Sequence, residues 1–178
     1  MANSSQAGPT KALYLDDLHV GQRFTSDMHL IDEEQIKAFA KQFDPQPFHL
    51  DAEAAKATLF EGLVASGWHT AVITMRLLVE SGMPIAGDVI GVGGEIAWPK
   101  PTRPGAVLRV ESEILELRPS HSRPDHGLAT IRSETRNQLG ETVQVLAVKL
   151  VVPRRPDLSQ HGNATKNANA AQNPVQHQ

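Results

Sequence analysis

Apolar positions along the chain follow two rhythms, and the change comes after Ala86. Ahead of it the spacing is largely helical. Ile36, Phe39, Ala40 and Phe43 recur at steps of three and four and make one stripe. Asp32 stands in front of that stripe as an N-cap, Glu33 and Glu34 suit the positive end of the helix, and Pro45 stops it. A strand over 22–30 precedes it, and a weaker, alanine-rich helix over 52–59 follows. The longest helix is expected over 67–81, carrying Trp68, Ala71, Val72, Met75, Leu78 and Val79 and ended by Gly82, Met83 and Pro84. Its apolar residues wrap more than half its circumference, so it is expected to be largely buried. After Ala86 the pattern reads as antiparallel sheet, with strands over 89–98, 107–117, 128–136 and 143–152. In the second of these, Leu108, Val110, Ser112 and Ile114 share one face, and the run 137–140 makes a hairpin turn before the last. The last strand is nearly all apolar, and both of its faces are expected to be covered. Gly91, Gly93 and Gly94 precede no helix, so they read as relief in a curved or bulged strand and not as a phosphate loop. One strand, a helical block and a run of strands give α+β, with the long helix packed on the sheet.

Composition sets the limits. A chain of 178 residues suits one domain with a single core. Residues 1–12 form a small, polar leader, 13–153 the folded unit, and from Arg154 the sequence turns to Asn, Gln, Ala and His with almost nothing to bury. The segment 154–178 is therefore expected to be a disordered tail. A net charge of −3 gives no electrostatic case for nucleic acid or an anionic membrane. There is no cysteine, which excludes disulfide and thiolate chemistry. No apolar run reaches the roughly 18 residues of a spanning helix, and the N-terminus lacks the pattern of a secretory signal. A cytoplasmic protein is expected.

The candidate chemistry lies between Phe43 and Thr70, in FDPQPFHLDAEAAKATLFEGLVASGWHT. Asp44 and His49 stand on a short loop stiffened by Pro45 and Pro47, and Ser66 and Gly67 stand at the head of the long helix. A carboxylate, an imidazole and an N–H at a helix N-terminus can accept a proton, deliver one and stabilise an oxyanion. The plain alternatives are an Asp-Pro turn and a packed histidine. His69 faces either the pocket or solvent, and Trp98 is either a packing anchor or a channel wall. Lys100, Arg103, Arg118 and Arg123 gather around two loops, where cations are suited to phosphate.

The segment FDPQPFHLD followed by LFEGLVASGWHT, together with the WPKPTRPG turn, resembles the MaoC-like dehydratases, which include the (R)-specific enoyl-CoA hydratases. The resemblance covers nearly all of 13–153. It implies the hotdog fold, a curved antiparallel sheet wrapped around a long central helix. It also implies reversible hydration of a trans-2-enoyl thioester, carried by coenzyme A or an acyl carrier protein, to the (R)-3-hydroxyacyl thioester. Asp44 and His49 would be the catalytic pair and Gly67 the backbone donor to the thioester carbonyl. Ser66, Lys100 and Arg103 would contact substrate. No cofactor or metal is implied, coenzyme A being part of the substrate. The sequence departs from the family where a helix serine near the dyad is replaced by Met75, with Thr74 beside it, and where Ala106 follows the glycine of the turn.

Two other functions share these features. A hotdog thioesterase places its carboxylate on the central helix, where this chain has only Glu80 near the far end. A non-catalytic acyl-binding or pairing subunit would not need the intact dyad. A homodimer or a higher even oligomer is expected, because one such sheet leaves an edge and an open pocket wall.

Overall fold

The sheet sets the frame. Its five antiparallel strands are β1 (Arg23–Ile31), β2 (Ile90–Ala97), β3 (Ala106–Pro119), β4 (His126–Arg136) and β5 (Thr142–Pro153), in the order β1-β3-β4-β5-β2. The computed structural model describes residues 12–156, so the leader up to residue 11 and the tail from residue 157 lie outside the described residues. Four helices fall between β1 and β2: α1 (Glu33–Phe43), α2 (Pro47–Leu50), α3 (Ala52–Lys56) and α4 (Gly67–Leu77), the last continuing as a π-helical segment, Leu78–Gly82. Asp32 caps α1 as expected, its side chain accepting from the Gln35 N–H. None of the helices among the described residues is long and apolar enough to cross a membrane.

The core lies between α4 and one face of the sheet. Ile73, Leu77 and Leu78 from the helix join Leu108, Val110 and Ile114 from β3 and Ile131 from β4 in one buried cluster. Alternation along β3 is the reason: every second side chain from Ala106 to Ile114 is buried. The inward polar residues pair with one another, as Ser112 and Ser133 do across the β3–β4 register at 2.8 Å. The glycines of β2 act as expected. Register shifts between Gly91 and Gly93, Gly93 holds φ +156°, and a Cβ on Gly94 would stand 2.5 Å from the Ala147 carbonyl oxygen of the neighbouring strand.

Four expectations change. The dyad segment is not a loop: Pro47 occupies the first position of a one-turn helix, where its missing N–H costs nothing, so His49 is helical. The long helix is buried on one side only, because Trp68, Val72, Met75 and Val79 form a second apolar stripe that this chain leaves exposed. β5 is likewise covered on one face, the outward side chains of Val145 to Val151 being half-buried or exposed. The folded unit also extends past Pro153. Arg154 binds Asp16 at 2.7 Å, and Arg155 binds Asp17 at 2.6 Å while lying over the Tyr14 ring.

Candidate active site

Asp44 terminates α1: its N–H still bonds the Ala40 carbonyl at 3.0 Å, but Pro45 follows and the helix cannot continue. Gln46 and Pro47 then start α2, whose single turn brings His49 back towards Asp44. His49 Nε2 stands 3.3 Å from Asp44 Oδ2. The other ring nitrogen, Nδ1, lies 2.7 Å from the Val64 carbonyl oxygen. A carbonyl only accepts, so Nδ1 carries a proton in either charge state of the ring, and in the neutral form Nε2 presents its lone pair towards Asp44. The imidazole is buried, packed edge-on against Phe48 at 4.4 Å between ring centres.

Asp44 is held ionised. Burial pushes its carboxyl up, but the hydrogen bonds around it, first those involving Ser66 and then Gln46, outweigh that and leave it below its ordinary value; a proton on His49 would lower it further. Gln46 Nε2 donates to Asp44 Oδ1 at 2.7 Å, which leaves Oδ2 for the histidine side. Ser66 is the buried N-cap of α4, its hydroxyl accepting the Trp68 N–H at 3.2 Å. Gly67 opens the helix, and no acceptor for its N–H is present among the described residues. Its place is fixed from outside, because the WPKPTRPG turn packs on the helix start. The Ala65 N–H bonds the Thr102 carbonyl at 2.8 Å, and the Thr70 hydroxyl bonds that of Thr102 at 2.9 Å.

These groups share one cavity of about 560 Å³. Asp44, His49, Ser66 and Gly67 are on its wall, Phe48, Phe60, Trp68 and Trp98 supply the apolar surface, and Lys100 and Arg103 also line it. The grouping of four cations does not survive. Arg118 ends the long β3 and pairs with Glu116, far from the turn, and Arg123 belongs to the loop beyond it. Even Lys100 is engaged by Glu141, at 2.6 Å. Arg103 donates to the Phe60 carbonyl at 2.7 Å and has no carboxylate partner among the described residues.

A family model described as the MaoC like domain matches residues 18–137, a span that holds the dyad, Gly67 and the proline-rich turn. The chain belongs to the MaoC-like domain family. A crystal structure of the MaoC-like dehydratase from Rhodospirillum rubrum is 58% identical, with a TM-score of 0.81, covering 82% of this chain and 100% of that one. The R-hydratase PhaJ1 from Pseudomonas aeruginosa, in its unliganded form, is 26% identical with a TM-score of 0.66, covering 81% of this chain and 88% of that one. The uncharacterized protein YdeM of Bacillus subtilis is 35% identical over 127 residues, 70% of this chain and 87% of that protein. The fold of this MaoC-like chain is therefore the α+β hotdog, and its family is one of hydratases and dehydratases.

Several parts of the site were not read from sequence. Gln46 sits inside the quoted motif, yet its role depends on the turn that points its amide back at Asp44. The Val64 carbonyl fixes the His49 tautomer, and no side-chain pattern announces a backbone acceptor. His69 turns to neither pocket nor solvent: it is buried and stacked on Phe39 at 4.5 Å, and burial, then the charge of His29, lowers its pKa to about 4. Thr74 and Met75 both point away from the dyad. Thr74 faces the sheet, hydrogen-bonded to Thr135, and Met75 faces outward.

Proposed function

We propose that this MaoC-like chain adds water reversibly across the double bond of a trans-2-enoyl thioester, giving the (R)-3-hydroxyacyl thioester, with Asp44 and His49 as catalytic residues. The observation that carries the reading is the pairing of Asp44 Oδ2 and His49 Nε2, 3.3 Å apart on the wall of a cavity that also contains the Gly67 N–H, which has no acceptor among the described residues. With the imidazole neutral, neither atom has a proton to give the other, and a water molecule can donate to the pair. Bound in this way, it turns its lone pairs into the cavity, the orientation required for attack on C3. As the C3–O bond forms, one water proton passes to Nε2, and the π electrons move onto the thioester oxygen. The Gly67 N–H and the positive end of α4 hold that enolate oxygen, while the adjacent carboxylate holds the new imidazolium. Return of the proton to C2 restores the carbonyl; the reverse sequence removes water.

The thioester is itself the electron sink, so the scheme uses no cofactor, and coenzyme A or an acyl carrier protein enters only as part of the substrate. Arg103, with Lys100 beside it, would meet the carrier's phosphates, and Ser66 would orient Asp44 while presenting the helix start to substrate. A thioesterase built on Glu80 is disfavoured, since that carboxylate is exposed, pairs with Arg76 at 2.9 Å and does not line the cavity. The purified protein should hydrate crotonyl-CoA without releasing free thiol. Thiol release without hydration would overturn the reading.

The outward stripe of α4 and the exposed Ile90 and Val92 of the edge strand β2 would be covered by a second copy of the chain. Light scattering at micromolar concentration should find a dimer or an even multiple, and Val72→Glu with Met75→Glu should shift it towards monomer. A wild-type monomer would contradict this.

A further inference from the structure

Trp98 directly follows β2 and leans on the start of α4. A Cβ built on Gly67 would lie 2.7 Å from both Cδ2 and Cε2 of the indole. Adding one carbon–carbon bond puts the ring within about 4 Å of the Gly67 Cα. The ring therefore stands beside the N–H that receives the thioester oxygen, and it lines the same cavity as Asp44 and His49. Trp68 meets it edge-on at 5.3 Å between ring centres.

The indole is also tethered. Its Nε1–H donates to Gln144 Oε1 at 2.9 Å, and Gln144 Nε2 donates to Thr74 Oγ1 at 2.9 Å. Thr74 gives its own hydrogen to the Thr70 carbonyl at 2.8 Å. A hydroxyl has one hydrogen and two lone pairs, so Thr74 must accept from both Gln144 and Thr135, which is 2.6 Å away. That saturates it and fixes the direction of every bond in the chain. Gln144, Thr74 and Thr135 are fully buried, so water does not compete for them. The result is an indole that cannot swing aside without stranding a buried amide oxygen.

We infer that Trp98 is the specificity-determining wall of the acyl pocket, held by Gln144 as a positioning residue, and that it confines the site to short, unbranched acyl groups. The inference rests on the hydratase reading above. In this inference the acyl carbons that follow a carbonyl bound at Gly67 run along the indole, and a tethered ring does not yield to a longer chain. Discrimination on this scale is what a rigid apolar pocket delivers, about 10-fold or more for each methylene that does not fit.

The test is the ratio of kcat/KM for octenoyl-CoA to that for crotonyl-CoA. The wild type should favour crotonyl-CoA by at least about 10-fold, and Trp98→Ala should raise the ratio by at least about 10-fold. Trp98→Phe should raise it less. Gln144→Met should also raise it, although Trp98 is still present, because the ring is no longer tied. An unchanged ratio in Trp98→Ala with native near-UV circular dichroism would overturn the inference. If that variant does not fold, an unchanged ratio in Trp98→Phe would do so. If no enoyl thioester is hydrated, the hydratase reading fails separately. The wall is then judged by calorimetry, where Trp98→Ala should improve octanoyl-CoA binding relative to butyryl-CoA, and no change would overturn it.

Discussion

Asp44→Asn and His49→Ala are each expected to lower the rate of enoyl thioester hydration by at least about 10²-fold, the lower end for a positioned acid–base group. In the first variant the amide keeps a hydrogen-bond partner for Gln46 but loses the charge that stabilises the imidazolium. In the second the acceptor proposed to take the water proton is gone, and the Val64 carbonyl that anchored it is left without its donor. The double variant should be scarcely slower than the poorer single one, because in the proposed mechanism the two groups hold a single water and act as a unit. Binding of a saturated acyl-CoA should change little, since neither side chain touches the acyl chain or the nucleotide in this scheme. Glu80→Gln should be silent: the carboxylate is exposed, paired with Arg76 and outside the cavity. Full activity in His49→Ala would remove the dyad from the mechanism.

Gly67→Ala is expected to be nearly as damaging, for a reason that opposes helix propensity. Alanine at a helical position normally gains roughly 0.5–1 kcal/mol over glycine. Here the new methyl would stand 2.7 Å from two indole carbons of Trp98, and overpacking of that kind costs about 1–3 kcal/mol. The clash outweighs the gain, so the melting temperature should fall. The ring or the helix start must then move, and a misplacement of about 1 Å at a reacting centre costs on the order of 10²-fold in rate. Kinetics and thermal melts on one preparation check both parts. A more stable variant with an unaltered rate would contradict the packing and the role of the N–H together.

How far the sequence carried this reading depended on whether a residue's partner was near or far in the chain. Asp32, Pro45 and the Ile36–Ala40 spacing defined α1 because capping and helical period are local. The β3 face of Leu108, Val110, Ser112 and Ile114 was legible for the same reason. Asp44, His49 and Gly67 were legible as a motif, yet α2 was missed because one turn is too short to show a period. The burial of α4 was overestimated, since a helix apolar all round looks the same whether its second face meets its own sheet or is left for another chain. The tether from Trp98 through Gln144 to Thr74 joins three elements distant in sequence, and nothing in the local pattern of any one of them indicates it. Arg154 and Arg155 looked like the beginning of a polar tail because their partners, Asp16 and Asp17, lie at the opposite end of the folded unit.

In the proposed mechanism one water, held by Asp44 and His49 on a single wall of the cavity, supplies both the hydroxyl and the returned proton. Hydration of crotonyl-CoA by the wild-type protein in deuterium oxide tests it most directly, with the C2 configuration of the product read by NMR. The mechanism predicts a single diastereomer, with the C2 deuterium and the C3 hydroxyl added to the same face. Addition to opposite faces, or a mixture of diastereomers, would contradict it.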